Sequence, residues 1–557
     1  MAHNARAPFT RRSATAVAAG ASFVLLFTLS AEAAGHRARL SQDLEERIKR
    51  GGSDVARVWL DGQAAEIEAI AARHGVKIAK QLRHGGVLEV TAEQLVALSS
   101  DPAVTHLSGD ARVYRMMAVT SQATGADQVH AGLAGLAGYT GRGIGVAVID
   151  SGVSKHKSLQ DRVIASLDFT GGRQADDDYG HGTAVAGIIA SSPEGDHAGN
   201  YAGLAPGAHI VSLRVLGADG SGDTSDVIAA IDYAIENRER YGLRIINLSL
   251  GRPVFESYRE DPLTRAAQRA VDAGLVVIAS VGNMGKTPDG QAVIGGCVSP
   301  GNLPDAITVG ALNTKGTAFG SDDVVATFSS RGPCPFDGTL KPELVAPGNR
   351  IVAAAAHGSA LVSSYPERVL AGEGNHQYIE LSGTSMAAAV VSGAAAMLLE
   401  ATPELTPADV KLALQLTSSR VAGAGLIESG AGALNVAAAV LLVKGQWQDL
   451  FIGGESAPPS GTFYVHTQSG TNVGSLANSF DQAWTSVDPS FKAVLEPNGV
   501  IPNSIVWTNS IVWTNSIVWT NSIVWTNSIV WTNSIVWTNS IVWTNSIVWT
   551  NDVVTSD

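Results

Sequence analysis

Four polar residues of the kinds that acyl transfer requires lie in short motifs far apart in the chain. Asp150 follows an apolar run, His181 lies in Gly-His-Gly-Thr, Asn283 follows Val-Gly, and Ser385 lies in Gly-Thr-Ser-Met-Ala. Transfer of an acyl group to water needs a nucleophile, a base, a group that orients the base, and donors for the oxyanion. These residues predict a serine nucleophile, a histidine base, an orienting aspartate and an asparagine amide donor.

Each of these residues also has an ordinary structural interpretation. An aspartate at a strand end often caps a turn, a serine at a helix start is usually a simple cap, and Asn-Met-Gly can be a plain turn. The glycines on both sides of His181 favour function, because they let backbone and substrate approach the imidazole closely. The four motifs together favour catalysis more strongly than any one of them alone.

The elements that would carry these motifs alternate between strands and helices. Continuous apolar runs predict parallel strands that are covered on both faces. Helices are predicted at residues 223–240, from Asp261-Pro262 to Gly274, and from Ser385 to about residue 400. The rhythm predicts an α/β fold with a doubly wound, mainly parallel sheet, whose site lies at the carboxyl ends of the strands. The predicted strands are residues 144–149, 209–215, 244–250, 275–279 and 306–309.

Residues 54–110 form a separate pattern that predicts a small α+β unit. Its strands are expected at residues 55–60, 76–82, 87–90 and 103–107. One helix, residues 63–74, is closed by Gly75. A second helix begins with the capping-box residues Thr91 and Gln94 and stops before Asp101-Pro102.

The amino-terminal residues have the plan of a signal peptide. Arg6, Arg11 and Arg12 precede residues 13–31, which carry no charge, and Ala31-Glu32-Ala33 offers small residues for cleavage. We expect a signal peptide over residues 1–33, with an uncleaved membrane anchor as the alternative. The protein is therefore predicted to be secreted, as an extracellular or cell-surface protein, with the periplasm as a further location.

The net charge and the cysteine content limit the partners and the cross-links that the chain can have. The chain has 557 residues and a net charge of -13. This charge argues against nucleic-acid binding, because the neutralisation of phosphates requires an excess of Lys and Arg that the chain lacks. Cys297 and Cys334 are its two cysteines, and the sequence leaves open both a disulfide and two free thiols.

The carboxyl-terminal part of the chain changes character twice. Residues 444–503 are rich in Gly, Ser and Pro and predict a linker or a small irregular β module. Residues 504–551 are eight copies of Ser-Ile-Val-Trp-Thr-Asn, and they contain no charge. High β propensity predicts a tail that self-associates or contacts a cell surface. A neutral expansion that the fold tolerates is the alternative.

The catalytic motifs resemble, in order and in residues, those of the subtilisin-like serine peptidase family. The similarity runs from about Thr124 to about Leu442 and includes Asn-Leu-Ser-Leu-Gly and Ala-Pro-Gly. It implies a secreted serine endopeptidase with a peptidase domain at residues 117–443, and Asp150, His181 and Ser385 as its triad with Asn283 as oxyanion donor. No cofactor is then required for the chemistry.

The resemblance also implies how substrate binds. In the family, two backbone edges hold an extended polypeptide by strand addition, and the matching positions here are Gly220, Ser221 and Gly222 with Ser249, Leu250 and Gly251. Met284 follows the oxyanion asparagine, and we expect it to favour an uncharged, medium to large side chain before the cleaved bond.

The family further implies an amino-terminal prodomain, here residues 34–116, of ferredoxin-like α+β fold. It would act as an intramolecular inhibitor at high effective concentration. Self-cleavage is expected between residues 113 and 122, at Met116 or Met117. Structural calcium is allowed by the family and Asp168 lies near a ligand position, but the loop at residues 191–203 departs from the calcium loop. The metal ligands are left unknown.

Two other functions remain open at this point. The same machinery could serve a specialised processing peptidase or a transpeptidase, in which the acceptor is not water. A non-catalytic adhesion scaffold is the alternative from another class, and it would be expected to have lost a triad residue, whereas all three are present.

Overall fold

The structure, a computed structural model, describes residues 37–466 except 53, 83–84, 110–115, 173–174, 194–200 and 447, and in addition short strands of the repeat between residues 503 and 548. The predicted signal peptide and most of the predicted linker lie outside the described residues. The chain divides into two compact units, Met1–Val113 and Tyr114–Asp557.

The first unit is a small α+β unit with one five-stranded sheet in the order β1-β5-β2-β4-β3. All of its pairings are antiparallel except that between β1 and β5. Apolar side chains of the strands and helices, including the fully buried Leu60, Ile67 and Leu95, form its core. The elements are β1 Arg39–Leu40, α1 Gln42–Arg50, β2 Ala56–Asp61, α2 Ala64–His74, β3 Lys77–Leu82, β4 Gly85–Val90, α3 Ala92–Ser99 and β5 His106–Gly109.

Local signals predicted much of this unit. Gly75 ends α2 in the left-handed conformation, and Thr91 and Gln94 form the capping box of α3. The last strand begins three residues later than predicted, and α1 was not predicted. In α1 polar and charged residues predominate, so it offers little apolar periodicity to recognise.

The second unit is built on an eight-stranded sheet in the order β14-β13-β11-β9-β6-β8-β7, with β15 also paired to β13. The pairings from β15 through β13 to β7 are all parallel, and β14 is antiparallel. All five predicted strands are present in it. The strands of this unit are β6 Gly145–Asp150, β7 Val163–Asp168, β8 His209–Arg214, β9 Leu243–Leu248, β10 Arg252–Pro253, β11 Val276–Ser280, β12 Val298–Ser299, β13 Ile307–Asn313, β14 Val324–Val325, β15 Leu344–Pro347, β16 Ile351–Ala354, β17 Val369–Ala371, β18 Tyr378–Leu381, β19 Phe451–Ile452, β20 Glu455–Ser456 and β21 Thr462–His466.

Helices cover both faces of this sheet. Along β6, Val146 and Val148 belong to a core that contains α6 and α10, whereas Ala147 and Ile149 belong to a second core that contains α7 and α8. Alternate side chains of a strand point to opposite faces, so both faces are buried and the strands lack polar alternation. The α/β fold with a mainly parallel sheet is therefore confirmed. The helices are α4 Met116–Ala123, α5 Ala126–Ala131, α6 His181–Ala190, α7 Thr224–Glu236, α8 Pro262–Asp272, α9 Ala360–Ser364, α10 Thr384–Ala401, α11 Pro407–Thr417, α12 Leu426–Ser429 and α13 Val436–Val443.

One helix ends earlier than the sequence predicted. The predicted helix at residues 223–240 stops at Glu236, so Arg238 and Arg240 lie in the following turn. The helix α10 is long and apolar enough to cross a membrane, but 89% of it is buried inside the protein, where it packs on the sheet. Asp261 caps α8 by accepting a hydrogen bond from Leu263 N, as its sequence predicted.

A disulfide joins Cys297 to Cys334, with their Cα atoms 5.3 Å apart. Both cysteines are buried, and they pack with Val281, which lies just after β11. The cross-link therefore supports the segment that leads to Asn283.

Strands of the repeat pair in parallel with strands three repeats further along. Ile505 pairs with Ile523, and Ile523 with Ile541. The paired residues are 18 positions apart, which is three copies of the six-residue repeat. Its strands are β22 Asn503–Trp507, β23 Ile511–Val512, β24 Ile517–Val518, β25 Ile523–Thr526, β26 Ile529–Val530, β27 Ile535–Val536, β28 Ile541–Thr544 and β29 Ile547–Val548.

Candidate active site

Asp150 and His181 meet at the carboxyl end of the central strand β6. His181 Nδ1 lies 2.8 Å from Asp150 Oδ1 and 3.0 Å from Oδ2, and the carboxylate is fully buried. Burial alone lowers the pKa of the imidazole, but the charge and hydrogen bond of Asp150 outweigh burial, and the pKa lies above its ordinary value. The pairing keeps the proton on Nδ1, which leaves Nε2 as the basic nitrogen.

Glycine residues make this approach sterically feasible. His181 is the first residue of α6, after Gly180 in the left-handed conformation. A Cβ at Gly182 would collide with the carbonyl oxygen of Gly152, on the turn that follows Asp150. The glycines next to His181 therefore bring the start of the helix against the end of the strand, as the sequence predicted.

Ser385 is the second residue of the buried helix α10, and it contacts the end of strand β9. Its hydroxyl donates to the backbone oxygen of Ser249 at 3.0 Å, and the Ser249 hydroxyl donates to the backbone oxygen of Ser385 at 2.9 Å. The side chain is nearly buried but keeps 9% of its surface exposed. The two reciprocal hydrogen bonds fix the helix start beside Ser249.

Asn283 lies next to the same helix start. Its Oδ1 accepts hydrogen bonds from Thr384 N at 3.0 Å and from Thr384 Oγ1 at 3.1 Å, which turns the Nδ2 amide away from Thr384. Among the residues that the structure describes, neither Asn283 Nδ2 nor the Ser385 backbone N–H has an acceptor. Among the described residues, two hydrogen-bond donors near the start of α10 therefore lack an acceptor.

A cavity of about 430 Å³ opens beside His181. Its lining includes all six residues predicted to hold the substrate backbone, namely Gly220, Ser221, Gly222, Ser249, Leu250 and Gly251. Tyr179 forms another wall, with its ring centroid 6.4 Å from that of His181. Its volume lies within the range that is typical of ligand-binding clefts.

The structure places two other predicted residues outside this cavity. Met284 is 48% exposed and is absent from the cavity lining, although its backbone N–H is fixed by Ser330 Oγ at 3.0 Å. Asp168 accepts two hydrogen bonds from Thr170 through Oδ1. In the part of the chain that the structure describes, no three acidic, histidine or cysteine side chains are placed to hold a metal ion. In the loop at residues 191–203, which departs from the calcium loop of the family, residues 194–200 lie outside the described residues.

One residue that sequence reasoning missed is the buried carboxylate of Asp177. It accepts hydrogen bonds from Ser151 Oγ at 2.8 Å, from Gly180 N at 2.6 Å, and from the backbone and hydroxyl of Thr183. Burial raises its pKa to about 6, although these donors favour the ionised form. The sequence offers three adjacent aspartates at 176–178, and nothing in it distinguishes the buried one from its exposed neighbours.

Comparison with known proteins decides the family. The sequence profile of the Subtilase family matches residues 141–435, a range that contains Asp150, His181, Asn283 and Ser385. The chain is also 30% identical to Subtilisin E of Bacillus subtilis (strain 168) over 379 residues, 68% of this chain and 86% of that one. This chain belongs to the subtilase family. The resemblance stated from the sequence motifs is thereby confirmed.

The chain is also similar to two further proteins. Serine protease AprX of Bacillus subtilis (strain 168) is 38% identical over 303 residues, which cover 53% of this chain and 66% of AprX. The solved structure named Sphericase is 29% identical, covers 56% of this chain and 97% of its own, and aligns with a TM-score of 0.44. As a subtilase the chain is a serine endopeptidase of the subtilisin type, which acts on polypeptides.

Proposed function

We propose that this subtilase is a secreted, self-processing endopeptidase that hydrolyses peptide bonds through Asp150, His181 and Ser385. The observation that carries the proposal is the hydrogen bond from His181 Nδ1 to the buried Asp150, because it leaves Nε2 as a base beside the substrate cavity. Ser385 and Asn283 lie on segments that meet at the start of α10.

Catalysis would begin when substrate displaces the Ser385 hydroxyl from Ser249 O. The hydroxyl then turns towards His181 Nε2, which accepts its proton as Oγ attacks the scissile carbonyl carbon. The imidazolium passes this proton to the leaving amine, and an acyl-enzyme remains. Water attacks the acyl group with His181 again as base, and the proton returns to Ser385. Asp150 holds the imidazole in one tautomer and stabilises its charged form.

The negative charge of the tetrahedral intermediate would be received by Asn283 Nδ2 and the Ser385 backbone N–H. The support for this role is that both donors have no acceptor among the described residues. The Asn283 side chain is already oriented by Thr384, so it needs no reorganisation when the charge develops.

Substrate would bind as an extended strand along two backbone edges, Gly220 to Gly222 and Ser249 to Gly251. Both edges line the cavity beside His181. Recognition through backbone hydrogen bonds tolerates many sequences and favours unfolded or flexible segments. We also propose that Met284 favours an uncharged, medium to large side chain before the cleaved bond.

We also propose that residues 34–116 are an inhibitory, ferredoxin-like prodomain removed by self-cleavage between residues 113 and 122. Met116–Ala123 is the helix α4, so cleavage at Met116 or Met117 requires this helix to unwind into the extended form that the site binds. Residues 113–115 lie outside the described residues.

Secretion is supported by the disulfide between Cys297 and Cys334, because such bonds persist in oxidising compartments. The charge-free segment at residues 13–31 supports the same proposal. For the repeat tail we propose self-association or contact with a cell surface, and its parallel strands support this.

Hydrolysis of casein by the secreted protein tests the function. We expect activity that a serine-directed phosphonate abolishes, loss of activity in Ser385→Ala, and an unprocessed amino terminus in that variant. Casein hydrolysis that persists in Ser385→Ala would overturn the triad assignment, and processing that persists there would overturn self-cleavage. Transfer of the acyl group to an added amine in preference to water would instead favour a transpeptidase.

A further inference from the structure

A second cavity of about 430 Å³ lies away from the triad, at residues that the proposed catalysis does not use. Five segments line it: Ala123 at the end of α4, residues 320–323 before β14, 419–422 after α11, 433–434 before α13, and 452–459. Its last wall lies beyond residue 435, where the match to the subtilase family ends. This cavity is therefore formed in part by a segment outside the family's common sequence.

The walls of this cavity are largely apolar, with Val421, Leu434, Ile452 and two prolines among them. Cavities of a few hundred Å³ that combine apolar walls with a few polar groups are typical of small-ligand sites. The composition favours a ligand with an apolar body.

One carboxylate in the lining, that of Asp323, has no hydrogen-bond donor among the described residues. Asp323 is only 6% exposed, and neither of its carboxylate oxygens accepts a hydrogen bond from a described residue. The neighbouring acids differ from it, because Asp322 accepts from Thr317 Oγ1 and Glu455 accepts from the backbone and hydroxyl of Ser321. A buried acid without hydrogen-bond donors is costly unless something else compensates it.

The charges around Asp323 further disfavour its ionised form. Burial has the largest effect, and together with the negative charges of Asp322 and Glu455 it raises the pKa of Asp323 to about 8. The positive charge of Lys315 offsets only part of this increase. Arg420 also lines the cavity, but it is exposed and forms no ion pair with a described residue. The cavity thus has an excess of negative charge at its Asp323 end.

We propose that this cavity binds an organic cation of the alkylammonium type, such as a lysine side chain or a free amine, with its ammonium group against Asp323. Three carboxylates near one another also raise the question of a metal ion. However, the described residues include no three acidic, histidine or cysteine side chains that are placed to hold one. An alkylammonium supplies both the missing positive charge and an apolar body for the walls. The proposal does not depend on the catalytic mechanism.

The test uses the full chain with Ser385→Ala, so that self-digestion does not affect the readout, and measures the thermal unfolding midpoint at pH 8.5. n-Pentylammonium chloride and N-acetyl-lysine methylamide represent a free amine and a lysine side chain, and 1-pentanol is the uncharged control. We expect the midpoint to rise with at least one amine and not with 1-pentanol. A response to the free amine alone would assign the site to small amines, and a response to the lysine derivative would assign it to a polypeptide side chain.

Asp323→Asn removes the charge of the side chain and keeps its shape, so the variant should fold. Its unfolding midpoint should no longer rise with the amines. Asp289→Asn, which changes an exposed carboxylate outside the cavity, should leave the response intact. Circular dichroism verifies that both variants are folded. Equal stabilisation by 1-pentanol, an amine response that persists in Asp323→Asn, or an Asp323-dependent response to calcium chloride in place of the amines would each overturn the proposal.

Binding should also depend on pH, because the ammonium group pairs with the ionised carboxyl. From pH 6.5 to 8.5 we expect the affinity for pentylammonium to rise about 20-fold as Asp323 ionises. Titration calorimetry at both pH values measures this. An affinity that does not change with pH would contradict the assignment to Asp323.

Discussion

The hydroxyl of Ser151 joins two buried carboxylates: it lies 2.8 Å from Asp177 Oδ1 and 3.2 Å from Asp150 Oδ1. The same hydroxyl accepts a hydrogen bond from Gly182 N, at the start of the helix that carries His181. Asp177 also binds the backbone of Gly180 and Thr183, so it ties this helix start to the strand that ends in Asp150. A carboxylate outside the predicted triad therefore positions the imidazole.

Asp177→Asn is expected to lower kcat with little change in KM. The asparagine amide would place an N–H group against partners that are all hydrogen-bond donors. The start of the helix that carries His181 would then lose part of its hydrogen bonding. Small displacements of a catalytic group commonly lower the rate by on the order of 100-fold. Steady-state kinetics on a peptide substrate measures the change. The exposed neighbour Asp176→Asn is the matched control, and equal kinetics for the two variants would refute the positioning role.

Activity is expected to fall on the acid side with a midpoint above pH 6.5. His181 must be neutral to act as base, and the charge of Asp150 raises the pKa of its imidazole despite burial. The residual activity of Asp150→Asn should show a midpoint at lower pH, because the charge that favours the imidazolium has been removed. The pH profile of kcat/KM reports this ionisation in the free enzyme. A wild-type midpoint below 6.5, or no shift in the variant, would contradict the assigned electrostatics.

Asn283→Ala should lower kcat by about 100-fold to 1000-fold, as the loss of one oxyanion donor does in related chemistry. KM should change far less, because the amide is needed when negative charge develops. The exposed Asn375→Ala serves as a control for the loss of an amide elsewhere. If kcat is unchanged while the protein remains folded, the oxyanion site must be elsewhere.

Replacement of both Cys297 and Cys334 by alanine should destabilise the protein. The cross-link closes a loop with a sequence separation of 37, for which the chain-entropy account gives about 4 kcal/mol of stabilisation. Urea unfolding in a Ser385→Ala background measures the loss without self-digestion. Thiol titration of denatured, unreduced protein should find no free cysteine, and two reactive thiols would show that the bond is absent.

The sequence by itself determined the order of the elements and the chemistry-bearing motifs. Apolar runs such as residues 144–149 predict buried parallel strands because both faces of each strand need apolar side chains, and glycines at 180 and 182 predict a close approach at His181. Caps at Thr91 and Asp261 are local, so they were readable as well. The family followed from motifs that lie within short windows of the chain.

Only the tertiary structure decided which distant groups meet. Asp177 could not be distinguished from Asp176 and Asp178 until the fold buried one of the three against Ser151 and Thr183. The bond between Cys297 and Cys334 depends in the same way on residues that come together only in the folded chain. The same holds for the burial of Asp323 in a cavity that five segments line. The burial of a side chain and the number of its hydrogen bonds depend on neighbours that are remote in the sequence. Helix and strand propensity and helix capping, in contrast, depend on a few adjacent residues.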